Sequence, residues 1–153
     1  MQAWANSVTA RGSNLVTRNV VEVARCICTN GQADTYASIT GITTDATHFI
    51  KIYVDTTYRH KGKYPADGSN VYRIVYAPQN QAILQVTTSK VIIEGLCIKD
   101  SLPNPNGTYG GNCIQLQDCD AGGYIQNCFL LDYKPGIVND TADAHGHVIR
   151  IDA

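Results

Sequence analysis

The chain has 153 residues, a net charge of −1, 44% hydrophobic residues and only 16% charged ones. That length suits one domain around one core, and the composition excludes a disordered chain. Lysines and arginines are scattered, leaving no basic stripe for a nucleic acid; no apolar run of about 18 residues can span a membrane, and MQAWANSVTARG is not a signal peptide.

In chain order, residues 1–19 open with Trp4 and a polar run. A first strand is expected in VVEVARCIC, where Val21 and Val23 share a face and Glu22 takes the other. Asn-Gly in TNGQAD marks a turn. ASITGITTD (37–45) follows, then HFIKIYVD (48–55), which alternates Ile50, Ile52 and Val54 against Lys51, Tyr53 and Asp55. The polar stretch 56–70, with its Pro and Asp-Gly, predicts an excursion loop. VYRIVY (71–76) and AILQV (82–86) are short strands, and TTSK turns into VIIEGLCIKD (91–100). A second excursion loop, 101–111, precedes NCIQLQD (112–118), which echoes at GIVND (136–140) through Ile114 and Ile137. HVIRIDA (147–153) sets Ile149 and Ile151 against Val148 and Arg150. No segment keeps helical spacing beyond a couple of turns, so the expected class is all-β.

The clearest pattern is internal. VIIEGLCIKD overlays GYIQNCFLLD (123–132) at a shift of 32 residues: Ile93 on Ile125, Gly95 on Asn127, Leu96 on Cys128, Ile98 on Leu130, Asp100 on Asp132. An apolar residue, a Gly or Asn, then a second apolar pair describes a strand with a corner in it, because Gly and Asn tolerate the bend at lowest steric cost. Ile39, Gly41 and Ile42 repeat the motif. Such a unit cannot bury its apolar side alone, but stacked copies can. The repeat favours a solenoid over a β-sandwich, with equivalent strands about 4.8 Å apart. The expected organisation is one domain, 1–153, with an opening region at 1–36 and coil turns over 37–153. The six cysteines read as isolated thiols rather than disulfides, and Cys113 and Cys119 lack zinc-knuckle spacing.

VIIEGLCIKD and GYIQNCFLLD resemble the rungs of the right-handed parallel β-helix, or pectate-lyase-like, superfamily. The stretch from AWANSVTARG through ITGITTDATHFIKIYVD to YRIVY is similar to the region preceding the regular coil in large, uncharacterised bacterial and environmental β-helix proteins. The resemblance implies an all-β, right-handed parallel β-helix of three to four turns with two excursion loops. Here Met1 lies just before the Trp-containing opening and the pattern runs to Ala153, so the chain looks short at both ends. Enzymes of this superfamily use clustered acids for calcium with Lys or Arg as base, and glycosidases on such coils use paired carboxylates.

Three sets of residues carry the candidate chemistry. Asp118, Asp120 and Asp132, with Asp100 below Asp132 and Lys99 nearby, are the candidate calcium or acid cluster; His145 and His147, with Asp143, are a second metal candidate. Strand-end Asp residues also cap turns through their own backbone, which is the simpler reading of them. Tyr53, Tyr58, His60 and Tyr64 are the candidate carbohydrate or partner contact, since an outward tyrosine joins an apolar ring to a polar tip; Arg59, Lys61 and Lys63 make His60 part of a basic knot. Asn106 and Asn139 stand in glycosylation sequons. No nucleophile elbow, phosphate loop or catalytic triad is present.

His147, Val148, Ile149, Arg150 and Ile151 form a β-rich edge with no cap after them, an association liability. The expected function is structural and non-enzymatic, with head-to-tail association into a filament or stack. The alternatives are a carbohydrate- or cell-surface-binding module of a longer secreted protein, and a polysaccharide lyase or glycoside hydrolase. The expected partners are copies of the chain or a polysaccharide, with no nucleic acid and no membrane span. The expected location is extracellular or cell-surface; no cofactor is expected unless the acids take calcium.

Overall fold

A computed structural model describes residues 1–77, 81–101, 112–131 and 149–152. Two short helices, α1 (Gln2–Ala10) and α2 (Leu15–Arg18), lead into eleven strands among the described residues: β1 (Glu22–Cys26), β2 (Ala37–Ile39), β3 (Ile50–Val54), β4 (Ile74–Tyr76), β5 (Leu84–Thr87), β6 (Val91–Glu94), β7 (Cys97–Asp100), β8 (Ile114–Gln117), β9 (Gly123–Gln126), β10 (Phe129–Leu131) and β11 (Ile149–Asp152). The chain is mostly β, every described strand pairing is parallel, and among the described residues no barrel closes.

Three sheets result. The first runs β1-β3-β6-β9, the second β4-β7-β10, and the third β2-β5-β8-β11. From β3 onward the chain visits first, second and third sheet in turn, three times over. Parallel pairing forces this, because consecutive parallel strands cannot be joined by a tight hairpin. Each sheet therefore has two borders: β1, β4 and β2 on one side, β9, β10 and β11 on the other.

The 32-residue overlay is the register of the fold. Ile93 pairs with Ile125 and Ile98 with Leu130. Behind Ile93 stand Ile52 and Ala24, so one column reads Ala24–Ile52–Ile93–Ile125. In the second sheet Ile74, Ile98 and Leu130 align; in the third, Ile39, Val86, Leu116 and Ile151 do. Ile52, Ile74, Ile93 and Ile98 are fully buried, each contributing about 1.5–3 kcal/mol of apolar transfer. Gly95 (φ +76°) and Asn127 (φ +53°) both adopt the left-handed conformation that the corner motif predicts.

Several expectations change. Gln2–Ala10 is helical, burying Ala5 and Val8 with Met1 and Trp4 packed alongside. Its nine residues are too few for a period to stand out. Gly41 does turn with φ +70°, but Ile39 sits in the third sheet, so this motif repeats the corner at Leu116–Asp118 (Asp118 φ +56°) rather than that at Ile93–Gly95. Ile114 pairs with Ile149, and its expected echo at Ile137 lies outside the described residues. Val21 and Val23 face solvent; Ala24, Cys26 and Cys28 fill the interior instead. The opening region already contributes β1 to a sheet. No described cysteine is in a disulfide.

Candidate functional site

The 56–70 loop leaves β3 through a 3-10 turn at Thr56–Tyr58, started by Asp55 accepting from the Thr57 N–H at 3.0 Å. It then runs along the corner between the first and second sheets. The Arg59 Nη1 pairs with Glu94 at 3.1 Å, and its Nη2 donates to the Val54 carbonyl at 2.9 Å. The guanidinium lies so close to Gly95 that a Cβ there would sit 2.5 Å from Arg59 Nε. One corner further on, His60 Nε2 donates to the Asn127 carbonyl at 2.7 Å. The His60 and Tyr64 rings both meet Phe129, at 5.9 and 6.5 Å, and Lys99 lies over Tyr64 at 5.1 Å. Four of the expected contact residues are thus placed. Tyr53 faces outward from β3, with Lys51 5.4 Å from its ring. Tyr58 packs on the core, and His60 and Tyr64 are engaged in fastening the loop. The basic knot is divided: Arg59 is ion-paired, while Lys61 and Lys63 are exposed.

Arg73 anchors the other end of this loop. It is 4% exposed, and its Nη2 donates to the Gly31 carbonyl at 2.8 Å and its Nη1 to the Ser69 carbonyl at 3.2 Å. Carbonyl partners at the far ends of a buried guanidinium bind two turns, 28–34 and 66–73, to each other.

Asp118 and Asp120 are exposed on the corner between β8 and β9. Asp132, His145 and His147 lie outside the described residues, as do Val148, Asp143 and both sequons. Among the described residues no three His, Cys, Asp or Glu side chains gather where they could hold a metal ion.

An open cavity of about 240 Å³ beside α1 is lined by Trp4, Arg25, Cys26, Ile27, Asp34 and Tyr72. The Tyr72 hydroxyl donates to Asp34 at 2.8 Å, and the Met1 amino group lies against the same carboxylate. Burial pushes the Tyr72 phenol far up and the Cys26 thiol up to about 11, so both stay protonated at neutral pH and neither offers a nucleophile. Burial also works to raise Asp34, but the hydrogen bonds from Met1, Tyr72 and Thr35 outweigh it and hold the carboxyl below its ordinary value.

The two borders differ. At β2, the Gln2 side-chain amide accepts from the Ser38 N–H at 2.7 Å and donates to the Ser38 carbonyl at 3.2 Å, occupying the place of a neighbouring strand. At β4, Asp34 forms a one-residue bridge with Ile74: its N–H reaches the Arg73 carbonyl at 2.8 Å and its carbonyl takes the Val75 N–H at 2.9 Å. β1 is tied to the helical segment through Glu22, which pairs with Arg11 at 2.8 Å and Arg18 at 2.7 Å. At β9, β10 and β11 no further strand pairs among the described residues. There Ile149 is 41% and Ile151 68% exposed, although both stand in columns that are buried one strand further in, at Ile114 and Leu116. Gln2, Glu22 and Asp34 were not visible as edge-covering residues from sequence, because each acts on a segment distant in the chain.

No protein family, curated protein or solved structure matches the chain. Among the described residues no helix is long and apolar enough to cross a membrane.

Proposed function

We propose that the chain is a right-handed parallel β-helix module with a structural, non-catalytic role, and that it associates with a second copy through the β9/β10/β11 border. The cyclic visiting of three parallel sheets supports the coil. The observation that carries the association is the exposure of Ile149 and Ile151 in columns whose preceding members are buried. Apolar side chains so placed gain about 25 cal/mol per Å² when a further layer covers them. The outer edge of β11 also carries backbone donors and acceptors, the features that recruit another strand. The tight fastening of His60, Tyr64 and Arg59 supports a structural role for the 56–70 loop over a ligand-binding one.

Sedimentation velocity over a wide concentration range tests the reading. Association that grows with concentration and disappears in an Ile149→Lys, Ile151→Lys double variant is expected. A wild-type protein that stays monomeric to its solubility limit would remove the proposal.

A further inference from the structure

Resting on that reading, we propose that the association is tail-to-tail: two copies join their β11 edges antiparallel about a twofold axis, and assembly closes at the dimer. Two independent observations lead there. First, the opposite border is obstructed. Gln2 holds the outward backbone groups of Ser38 on β2, and Asp34 holds those along β4. A head-to-tail copy would have to displace both, so the β9/β10/β11 border meets its own kind instead. An interface between identical surfaces is isologous and does not propagate.

Second, β11 is self-complementary in one register. The Asp152 carbonyl accepts from the Asp118 N–H at 3.2 Å, so the backbone groups of Arg150 and Asp152 face β8. In a parallel ladder the alternate residues, Ile149 and Ile151, then present theirs to the outer edge. With Ile151 opposite Ile151 of the second copy, the two residues exchange a pair of backbone hydrogen bonds across the twofold axis. Arg150 of each copy then stands opposite Asp152 of the other, in the closely spaced non-hydrogen-bonded position. Sliding the strands by one pair in one direction sets Arg150 against Arg150, and in the other sets Asp152 against Asp152. Like charges directly opposite are destabilising, so charge selects the register. Arg150 and Asp152 already share a face, their side chains 2.9 Å apart within the strand, and Gln115 steadies the carboxylate at 2.8 Å.

The experiment uses two charge reversals. Arg150→Asp leaves two acids on the edge and Asp152→Arg two bases. Each variant alone is expected to dimerise at least about tenfold more weakly than wild type, from two opposed pairs turned repulsive. An equimolar mixture is expected to regain dimer as the one-of-each species, read by native mass spectrometry with one variant isotope-labelled; this recovery also shows that both variants fold. Wild-type assemblies that grow past two copies would overturn the tail-to-tail arrangement while leaving association intact. So would single variants that dimerise like wild type, or a mixture that does not recover. A wild-type monomer at every concentration would instead overturn the association itself.

Discussion

The two borders of the sheets are built from the same kind of strand and behave as opposites. At β2 and β4 the outward backbone groups are taken by Gln2 and Asp34, and Ala5, Val8 and Leu15 from the helical segment are buried against the core. At β9 the burial pattern along the strand is largely exposed, and at β11 two interior-column isoleucines lie open. The difference teaches that a column of like residues determines register but not burial. Burial depends on what stands on both sides, so the same isoleucine is core in β6 and surface in β11.

The largest effect that would sharpen the contrast is Ile93→Ala. Its column has neighbours on both sides, and the cavity should cost about 2–5 kcal/mol in urea unfolding. Ile151→Ala, already 68% exposed, should cost less than about 1 kcal/mol in dilute monomer. Equal losses would break the comparison.

Next comes Gln2→Ala. Two hydrogen bonds at the β2 edge vanish, for a loss of about 1–3 kcal/mol, and the uncovered Ser38 groups should raise light scattering at high concentration. A variant as stable and as dispersed as wild type would mean that the glutamine does not guard this border.

The corners give a graded test. Ala at Gly41 faces only the left-handed backbone penalty, about 1–2 kcal/mol, since nothing lies within 4 Å of its added Cβ. Ala at Gly95 adds the collision with Arg59 and should cost more, whereas Asn127→Gly, nearer the open border, should change stability by under about 1 kcal/mol. Thermal melts in that order would confirm that corner strain tightens toward the middle; a Gly95→Ala protein matching Gly41→Ala would refute it.

The smallest effect is acid sensitivity. Asp45 is held well below the usual carboxylate range by His48 and the Thr47 N–H, and Asp55 is lowered by the Thr57 N–H and Arg25. A carboxyl whose folded pKa is depressed adds stability above its unfolded value near pH 4, and that stability is lost as pH falls through the folded pKa. Both groups are only half-buried and remain in contact with solvent, so the contribution is small. The melting temperature should drop below about pH 4, less steeply in Asp45→Asn; identical slopes would exclude Asp45 as a source.

Where the chain repeats in step, its sequence is readable. Ile93 on Ile125 and the bends at Gly95 and Asn127 follow from apolar spacing and left-handed tolerance, both local properties. The alternation of Ile50, Ile52 and Val54 is equally plain, and it places Tyr53 outside. Legibility fails where connections differ in length, as between Ile114 and Ile149, because a period cannot survive unequal insertions. It fails again where valines and small residues exchange expected places: Val21 and Val23 are bulky apolar residues, yet they face solvent while the interior beside α1 admits Ala24, Cys26 and Cys28. Of the candidate residues, Ile149 and Ile151 alternate and stand in the columns of Ile114 and Leu116, but alternation alone does not show that they are exposed. The guard residues were not legible, because Gln2 meets Ser38, and Arg59 meets Glu94, only after the chain has folded back.

The Gln2–Ser38 contact also bears on biosynthesis. Gln2 leaves the ribosome ahead of the strand it covers, and each later strand docks on one already made: β3 on β1, β6 on β3, β9 on β6. A nascent chain can therefore lay itself down from the covered border outward, with its unsatisfied edge always the most recently synthesised. At β2 and β4 the emerging protein thus offers its neighbours a border that is already guarded, which lowers the opportunities for polysome-bound chains to entangle.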